Sequence, residues 1–228
     1  MTNQLLTTDT PKGFSGVRLL TLNRRAKDNA LDVELLTQLI AAFEEADLDS
    51  SVQAVVLTGA GDVFCGGGER HLDADGSLLP PSDFEQRVFD DVLRTLESLR
   101  TPVVVAANGD ARDAGVGLVL RADLAVMDAS ASLSCVDATQ GVFSKVVAEL
   151  LYAQLPQKLA NEVVLLGEPL SAQSANALGV VNRVVAFDDV LDVALGLAGR
   201  LANAASSASS LGRFSPYRAA LDAMRLRR

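Results

Sequence analysis

Val103-Val104-Val105-Ala106-Ala107-Asn108-Gly109-Asp110-Ala111-Arg112-Asp113-Ala114-Gly115-Val116-Gly117 opens on a β-branched run and passes through a glycine-bearing turn into a small, apolar segment. The triple valine reads as a buried strand. Residues 111–120 read as a helix, and Asp123-Leu124-Ala125-Val126-Met127 as the strand that follows. Upstream, Ser82-Asp83-Phe84-Glu85 behind Pro80-Pro81 is a capping box. It opens a helix whose apolar positions are Phe84, Val88, Phe89, Val92, Leu93, Leu96 and Leu99.

The same alternation extends to both sides. Val17-Arg18-Leu19-Leu20-Thr21-Leu22 and Ala54-Val55-Val56-Leu57 are strand runs. Between them Asp32 caps a helix carrying Leu35, Leu36, Leu39, Ile40 and Phe43 at a 3.6-residue period. Downstream, residues 145–155 read as a helix and Gly167 as the C-cap of another. Ser171 opens a short helix, and residues 180–185 form one late strand. Residues 202–210 read as a loose helix end or linker, and Ser215-Pro216 opens a last helix. Strands alternating with helices predict an α/β fold. The turn-rich stretch 70–81 is expected to be a mobile loop or part of a site.

In 228 residues, Lys+Arg minus Asp+Glu is 20 − 29 = −9, which leaves no basic stripe for a nucleic acid backbone. With 49% hydrophobic and 21% charged residues the chain can bury a core, unlike a disordered one. No apolar run approaches the ~20 residues of a membrane span. Met1-Thr2-Asn3-Gln4-Leu5-Leu6 lacks the basic and apolar regions of a secretory signal, so a cytoplasmic location is expected. Cys65 and Cys135, with one histidine, His71, make neither a disulfide framework nor metal-ligand spacing. They read as small buried hydrophobes, or as one half of a Cys-His nucleophilic pair.

Two segments have the composition of a ligand site. Phe64-Cys65-Gly66-Gly67-Gly68-Glu69 permits close backbone approach, either as a plain tight turn or as a ligand loop. The turn from Asn108 to Gly117 feeds a helix N-terminus with its free N–H groups. Converging on one oxygen, two such loops form an oxyanion hole.

Together these pieces resemble the crotonase (enoyl-CoA hydratase/isomerase) superfamily over residues 17–187. The matching segments are Leu22-Asn23-Arg24 with Asn29-Ala30-Leu31, residues 54–61, Phe64 to Glu69, Asn108-Gly109 through Gly115, Ala122-Asp123-Leu124-Ala125, and Gly167 through Val185. The resemblance implies a crotonase-like spiral of ββα repeats spanning residues 1–187. It also implies a C-terminal helical extension over 188–228 that assembles homotrimers or hexamers. It implies no metal and no resident cofactor; coenzyme A or phosphopantetheine enters as the carrier of the substrate. The partner is then an acyl-CoA or an acyl carrier protein.

Position by position, the resemblance places the hole donors at the backbone N–H groups of Gly66 and Ala114, with Cys65, Gly67, Gly68 and Gly115 around them. Ala114 stands where the family has glycine, which requires a negative φ there. The two catalytic carboxylates of the family fall on Gly117, which has no side chain, and on Asp137. Arg24, Arg25 and Lys27 are candidates for a pantetheine phosphate. His71 and Asp113 are further candidates at the site.

Within the superfamily, the stretch 109–141 most resembles the dehydratases of polyketide β-branching cassettes, with Ala131-Ser132-Leu133-Ser134 ahead of a single acid. Glu69-Arg70-His71, Asp137 and the absence of a proline in Val142-Phe143-Ser144-Lys145 depart from that subgroup. A chain shorter than the superfamily's usual length suits a carrier-protein substrate.

The implied activity is that of an acyl-thioester lyase or isomerase. Dehydration of a 3-hydroxyacyl thioester, such as 3-hydroxy-3-methylglutaryl, by Asp137 is the leading expectation. Two alternatives stand beside it. One is a decarboxylase, or a hydrolase or dehalogenase with Asp137 as nucleophile, assisted by Glu69, His71, Asp73 or Asp113. The other is a non-catalytic scaffold that binds a carrier protein.

Overall fold

The computed structural model describes residues 4–136 and 144–207. In chain order its elements are β1 (Leu6–Asp9), β2 (Val17–Leu22), α1 (Val33–Leu48), β3 (Ala54–Gly59), β4 (His71–Leu72), β5 (Leu78–Leu79), α2 (Asp83–Ser98), β6 (Val103–Ala107), β7 (Ala111–Arg112), α3 (Ala114–Arg121), β8 (Leu124–Asp128), β9 (Ser132–Ser134), α4 (Lys145–Gln154), α5 (Gln157–Leu166), β10 (Leu170–Ser171), α6 (Ala172–Ala177), β11 (Arg183–Val185) and α7 (Val190–Ser207). These elements make the α/β fold that the alternation of strands and helices predicts.

The main sheet runs β1-β2-β3-β6-β8-β11. All its pairs are parallel except β1 with β2. Its central strands are apolar on both faces because both are covered, and the two-residue period sorts their side chains. Val55, Leu57, Val103 and Val105 face the core shared with α1, α2 and α3. Ala54, Val56, Val104 and Ala106 face α7, which approaches through Val190, Ala194, Ala198 and Ala202. Those alanines recur every four residues, so one smooth helix face lies close to the sheet. α7 therefore seals the rear of the sheet.

A second, shorter ladder carries the functional loops. β7 pairs with β9 and β9 with β10, while the bridges Cys65–Ala111 and Leu31–Gly68 extend it toward the first turn of the spiral. Two buried asparagines hold these loops to the main sheet. Asn29, at φ 56°, donates from Nδ2 to the carbonyls of Val63 at 2.7 Å and Ala60 at 3.0 Å and accepts from the Arg24 N–H at 3.0 Å. Asn108 accepts from the Gly59 N–H at 3.0 Å and donates to the Gly61 carbonyl at 2.8 Å.

The caps predicted at Asp32, Ser82, Gly167 and Ser171 all form. Asp32 accepts from the Leu35 N–H at 2.8 Å, and Ser82 with Glu85 closes the capping box. One expectation changes: the helix predicted from residue 111 starts at Ala114, because Ala111 and Arg112 pair with Leu133 and Ser134 and Asp113, at φ 44°, cannot be helical. The stretch 70–81, expected as a mobile loop or part of a site, carries a small hairpin, β4 with β5. Residues 202–207, expected as a loose helix end or linker, are the end of α7. The last helix predicted from Ser215 lies outside the described residues, as does Asp137.

Replacing Asn29 by alanine orphans buried carbonyls and is expected to cost about 2–3 kcal/mol. Urea denaturation of the variant against the parent protein measures this.

Candidate active site

Three backbone segments are stitched together to make the site. The Leu31 N–H donates to the Gly67 carbonyl at 2.8 Å, and the Glu69 N–H donates to the Leu31 carbonyl at 3.0 Å. On the other side, the Cys65 carbonyl accepts from the Arg112 N–H at 2.9 Å, and the Asp113 N–H donates to the Ser134 carbonyl at 2.8 Å. Glycine is required at these crossings. A Cβ on Gly115 would lie 2.8 Å from the Cys65 carbonyl oxygen, and one on Gly109 would lie 2.0 Å from that of Asp62.

The stitching decides which N–H groups remain open. The Gly66 N–H donates to the Asp28 carbonyl at 2.7 Å, which rules out the expected role of Gly66 as a hole donor. Gly68 is the residue left open. The groups on either side of it bond Leu31, so its own N–H points away from that strand, and it has no partner among the described residues. The Ala114 N–H, in the first turn of α3, is likewise without a described partner. Ala114 is helical, as its alanine side chain requires, and the positive φ falls on Asp113 instead. Gly68, Ala114 and Asp113 all line one cleft, walled by Leu31 and Leu36, Phe89 of α2, and Leu78 and Leu79 of the hairpin. His71 and Cys65 do not line it.

Gly117 packs tightly against two side chains. A Cβ there would lie 3.0 Å from Cζ of Phe89 and 3.1 Å from Cγ2 of Val147. A side chain at this position would press on the tip of that ring and on Val147. The other carboxylate implied by the resemblance, Asp137, lies outside the described residues.

A cysteine nucleophile paired with histidine is overturned for Cys65. Burial pushes its thiol up to about 12, and only the thiolate is reactive. The Nε2 of His71 instead lies 2.8 Å from Oε1 of Glu85. Arg24 is not a surface cation awaiting a phosphate. Its side chain is 10% exposed and is held by Glu69 at 2.6 Å and Asp32 at 3.2 Å. Lys27 is 58% exposed and also pairs with Glu69. Burial raises the Glu69 carboxyl, but Lys27 and Arg24 outweigh it and hold the group below its ordinary 4.5.

Two acids on the cleft wall escaped the sequence reading, Glu85 and Asp90. Burial raises the carboxyl of Asp90. The capping box already marked Glu85; nothing in the sequence marked Asp90. Among the described residues no cluster of histidine, cysteine, aspartate or glutamate is arranged to hold a metal.

Two open N–H groups at one cleft can receive an oxygen that gains charge, and comparison with known proteins places the chain in a family. Residues 12–218 match the family model for enoyl-CoA hydratase/isomerase. The carnitinyl-CoA dehydratase of Proteus mirabilis is 33% identical over 183 residues, 79% of this chain and 69% of that protein. Among solved structures, an enoyl-CoA hydratase of Mycobacterium smegmatis is 33% identical with a TM-score of 0.76, covering 87% of this chain and 77% of that one. A monofunctional enoyl CoA isomerase from M. smegmatis is 29% identical with a TM-score of 0.71, covering 86% and 84%. The chain belongs to the enoyl-CoA hydratase/isomerase family, and it is an enzyme of that kind.

Two outcomes are expected. Gly117→Ala sets a tight contact with Phe89 and Val147 against a gain of about 1 kcal/mol in helix propensity, so the stability read by denaturation is expected to stay within about 1 kcal/mol of the parent. Glu69→Gln removes the charge that Arg24 faces and costs about 1–3 kcal/mol. Because the folded-state value of Glu69 lies below 4.5, its stabilisation is complete above that pH and is lost as pH falls through the folded value. Melting curves of parent and variant should therefore converge on acidification below pH 4.5.

Proposed function

We propose that this protein adds water to, or removes it from, an acyl thioester whose carbonyl oxygen accepts hydrogen bonds from the Gly68 and Ala114 N–H groups. The observation that carries this reading is the pair of open backbone donors on separate loops at one cleft. As the α-proton leaves, negative charge grows on the thioester oxygen. Preorganised donors in a site that excludes water stabilise that charge, each at a level of about 10²–10³ in rate.

Asp137 supplies a carboxyl that moves a proton to or from the β-hydroxyl. Leu78, Leu79 and Phe89 give the acyl chain apolar walls, and the hairpin closes one side of the cleft. The substrate is a 3-hydroxyacyl or enoyl thioester, with 3-hydroxy-3-methylglutaryl as the branched candidate. The names of the similar proteins favour coenzyme A as its carrier over an acyl carrier protein. Arg24 plays no part in holding the carrier; Arg25 and Lys27 are the cations of that region left at the surface.

The protein works as an oligomer, a trimer or a hexamer, whose contacts draw on exposed apolar residues such as Leu165, Leu166 and Phe187. It works in the cytoplasm. Among the described residues no helix is long and apolar enough to cross a membrane.

The test presents 3-hydroxybutyryl and 3-hydroxy-3-methylglutaryl thioesters, on coenzyme A and on carrier protein, and follows loss of water by mass spectrometry. Turnover is expected on at least one carrier, reduced about 10²–10⁴-fold in Asp137→Asn. Binding of every thioester without turnover would sink the lyase reading and leave a non-catalytic binder. A covalent acyl adduct on Asp137 would replace the lyase with a hydrolase.

A further inference from the structure

We propose that Asp90 sets the acyl specificity of the cleft by accepting a hydrogen bond from a hydroxyl or ammonium group at the far end of the acyl chain. This rests on the thioester reading above and concerns the chain that is taken rather than the proton that is moved.

The helical period places Asp90. The face of α2 turned to the cleft carries Glu85, Gln86, Phe89 and Asp90, neighbours at spacings of three and four residues. Leu93, Arg94 and Glu97 continue that face beyond the cleft, into a depression that α4 closes with Val146, Glu149 and Leu150. Asp90 lines both spaces, so it stands where the cleft opens toward α4. The ring of Phe89, the residue before it, reaches Gly117, one turn along α3 from the Ala114 donor. An acyl chain that leaves the donors along this face meets Phe89 and then Asp90.

No protein group satisfies the Asp90 carboxylate. It is half-buried, yet among the described residues it accepts no hydrogen bond and feels only charges at a distance. Arg94, one turn further on, gives its hydrogen bond to Asp91 at 2.7 Å. Across the depression, Glu149 of α4 adds a like charge and has Lys145 at 3.8 Å. Burial raises the Asp90 carboxyl most; Arg94 opposes this, and Asp91 and Glu149 raise it further. A charge taken partly out of water without a partner is destabilised. A donor on the substrate supplies that partner. A methyl group in the same place removes more water from the carboxylate and leaves it unpaired, which is how a polar site rejects an apolar analogue.

The other described acids of the cleft are already engaged. Glu69 pairs with Arg24 and Lys27, Glu85 is held by Ser82 and His71, and the Oδ2 of Asp113 is buried. The facing walls, Leu31, Leu36, Leu78 and Leu79, are apolar and select for length alone. Asp90 adds the demand for a donor.

The experiment compares trans-2-enoyl thioesters of coenzyme A in pairs that exchange a terminal methyl for a terminal hydroxyl, from pent-2-enoyl with 4-hydroxybut-2-enoyl up to oct-2-enoyl with 7-hydroxyhept-2-enoyl. The ammonium counterpart of each hydroxyl chain is included. kcat/KM is measured where water is added, and Kd by equilibrium dialysis where it is not. In at least one pair the parent protein is expected to favour the hydroxyl chain about 10–100-fold, the ratio given by one hydrogen bond to a charged group, and to favour the ammonium chain of that length as well. Asp90→Leu should reverse both preferences. Asp90→Asn, which accepts but carries no charge, should keep part of the preference for hydroxyl and lose that for ammonium. A merely structural role would lower both members of a pair alike. Parent ratios within about 3-fold in every pair, short of what one such bond supplies, or a ratio that Asp90→Leu leaves unchanged, would overturn the assignment and leave the thioester reading standing. The same preference seen in Kd without addition of water would uphold the assignment and sink the lyase reading. Binding of no thioester would overturn both.

Discussion

The carboxamide of Asn29 is a buried polar group, and such a group is stable only with its partners in place. Its donors reach back to the turn after β3, and its acceptor takes the Arg24 N–H. This fixes where residues 60–64 leave the main sheet. The glycine loop starts from there, so the line of Gly66, Gly67 and Gly68 against Asp28 and Leu31 is set by one side chain that never meets a substrate. Asn108 performs the same service one turn of the spiral later, tying the exit of β6 to Gly59 and Gly61. With both exits fixed, the two loops must cross at Cys65 and Ala111, and the crossing is close enough that only glycine fits at 109 and 115.

The chemistry of the cleft follows from what that crossing leaves unbonded. Backbone groups inside a fold are nearly all paired, so an N–H open toward a cleft is a strong constraint on what the cleft can hold. Here Gly68 and Ala114 are both donors, which suits an oxygen that gains charge. The acids are placed by packing as much as by sequence. Phe89 packs beside Gly117, and Asp113, four residues earlier at a turn of positive φ, is among the residues that line the cleft.

Much of the fold could be read from residues alone. The valine and alanine runs of the central strands, the cap at Asp32 and the box at Ser82 are local signals with local causes. The site was less legible. Three consecutive glycines look alike in sequence, and only the hydrogen bond from Gly66 to Asp28 separates the spent donor from the open one at Gly68. Residues 111–112 have helix-forming composition, yet pairing with β9 outweighs that weak preference. Arg24 reads as a surface cation until Glu69 and Asp32 are seen to enclose it. Asp90 carried no signal, because burial beside a cleft is a property of the whole packing.

The ring of Phe89 against Gly117 also bears on how such a site can change over time. An acid placed at 117 meets the tip of that ring, and shrinking Phe89 alone opens a void, a loss of about 3–5 kcal/mol for a large aromatic. The two positions are therefore coupled, and what either substitution does depends on the residue at the other.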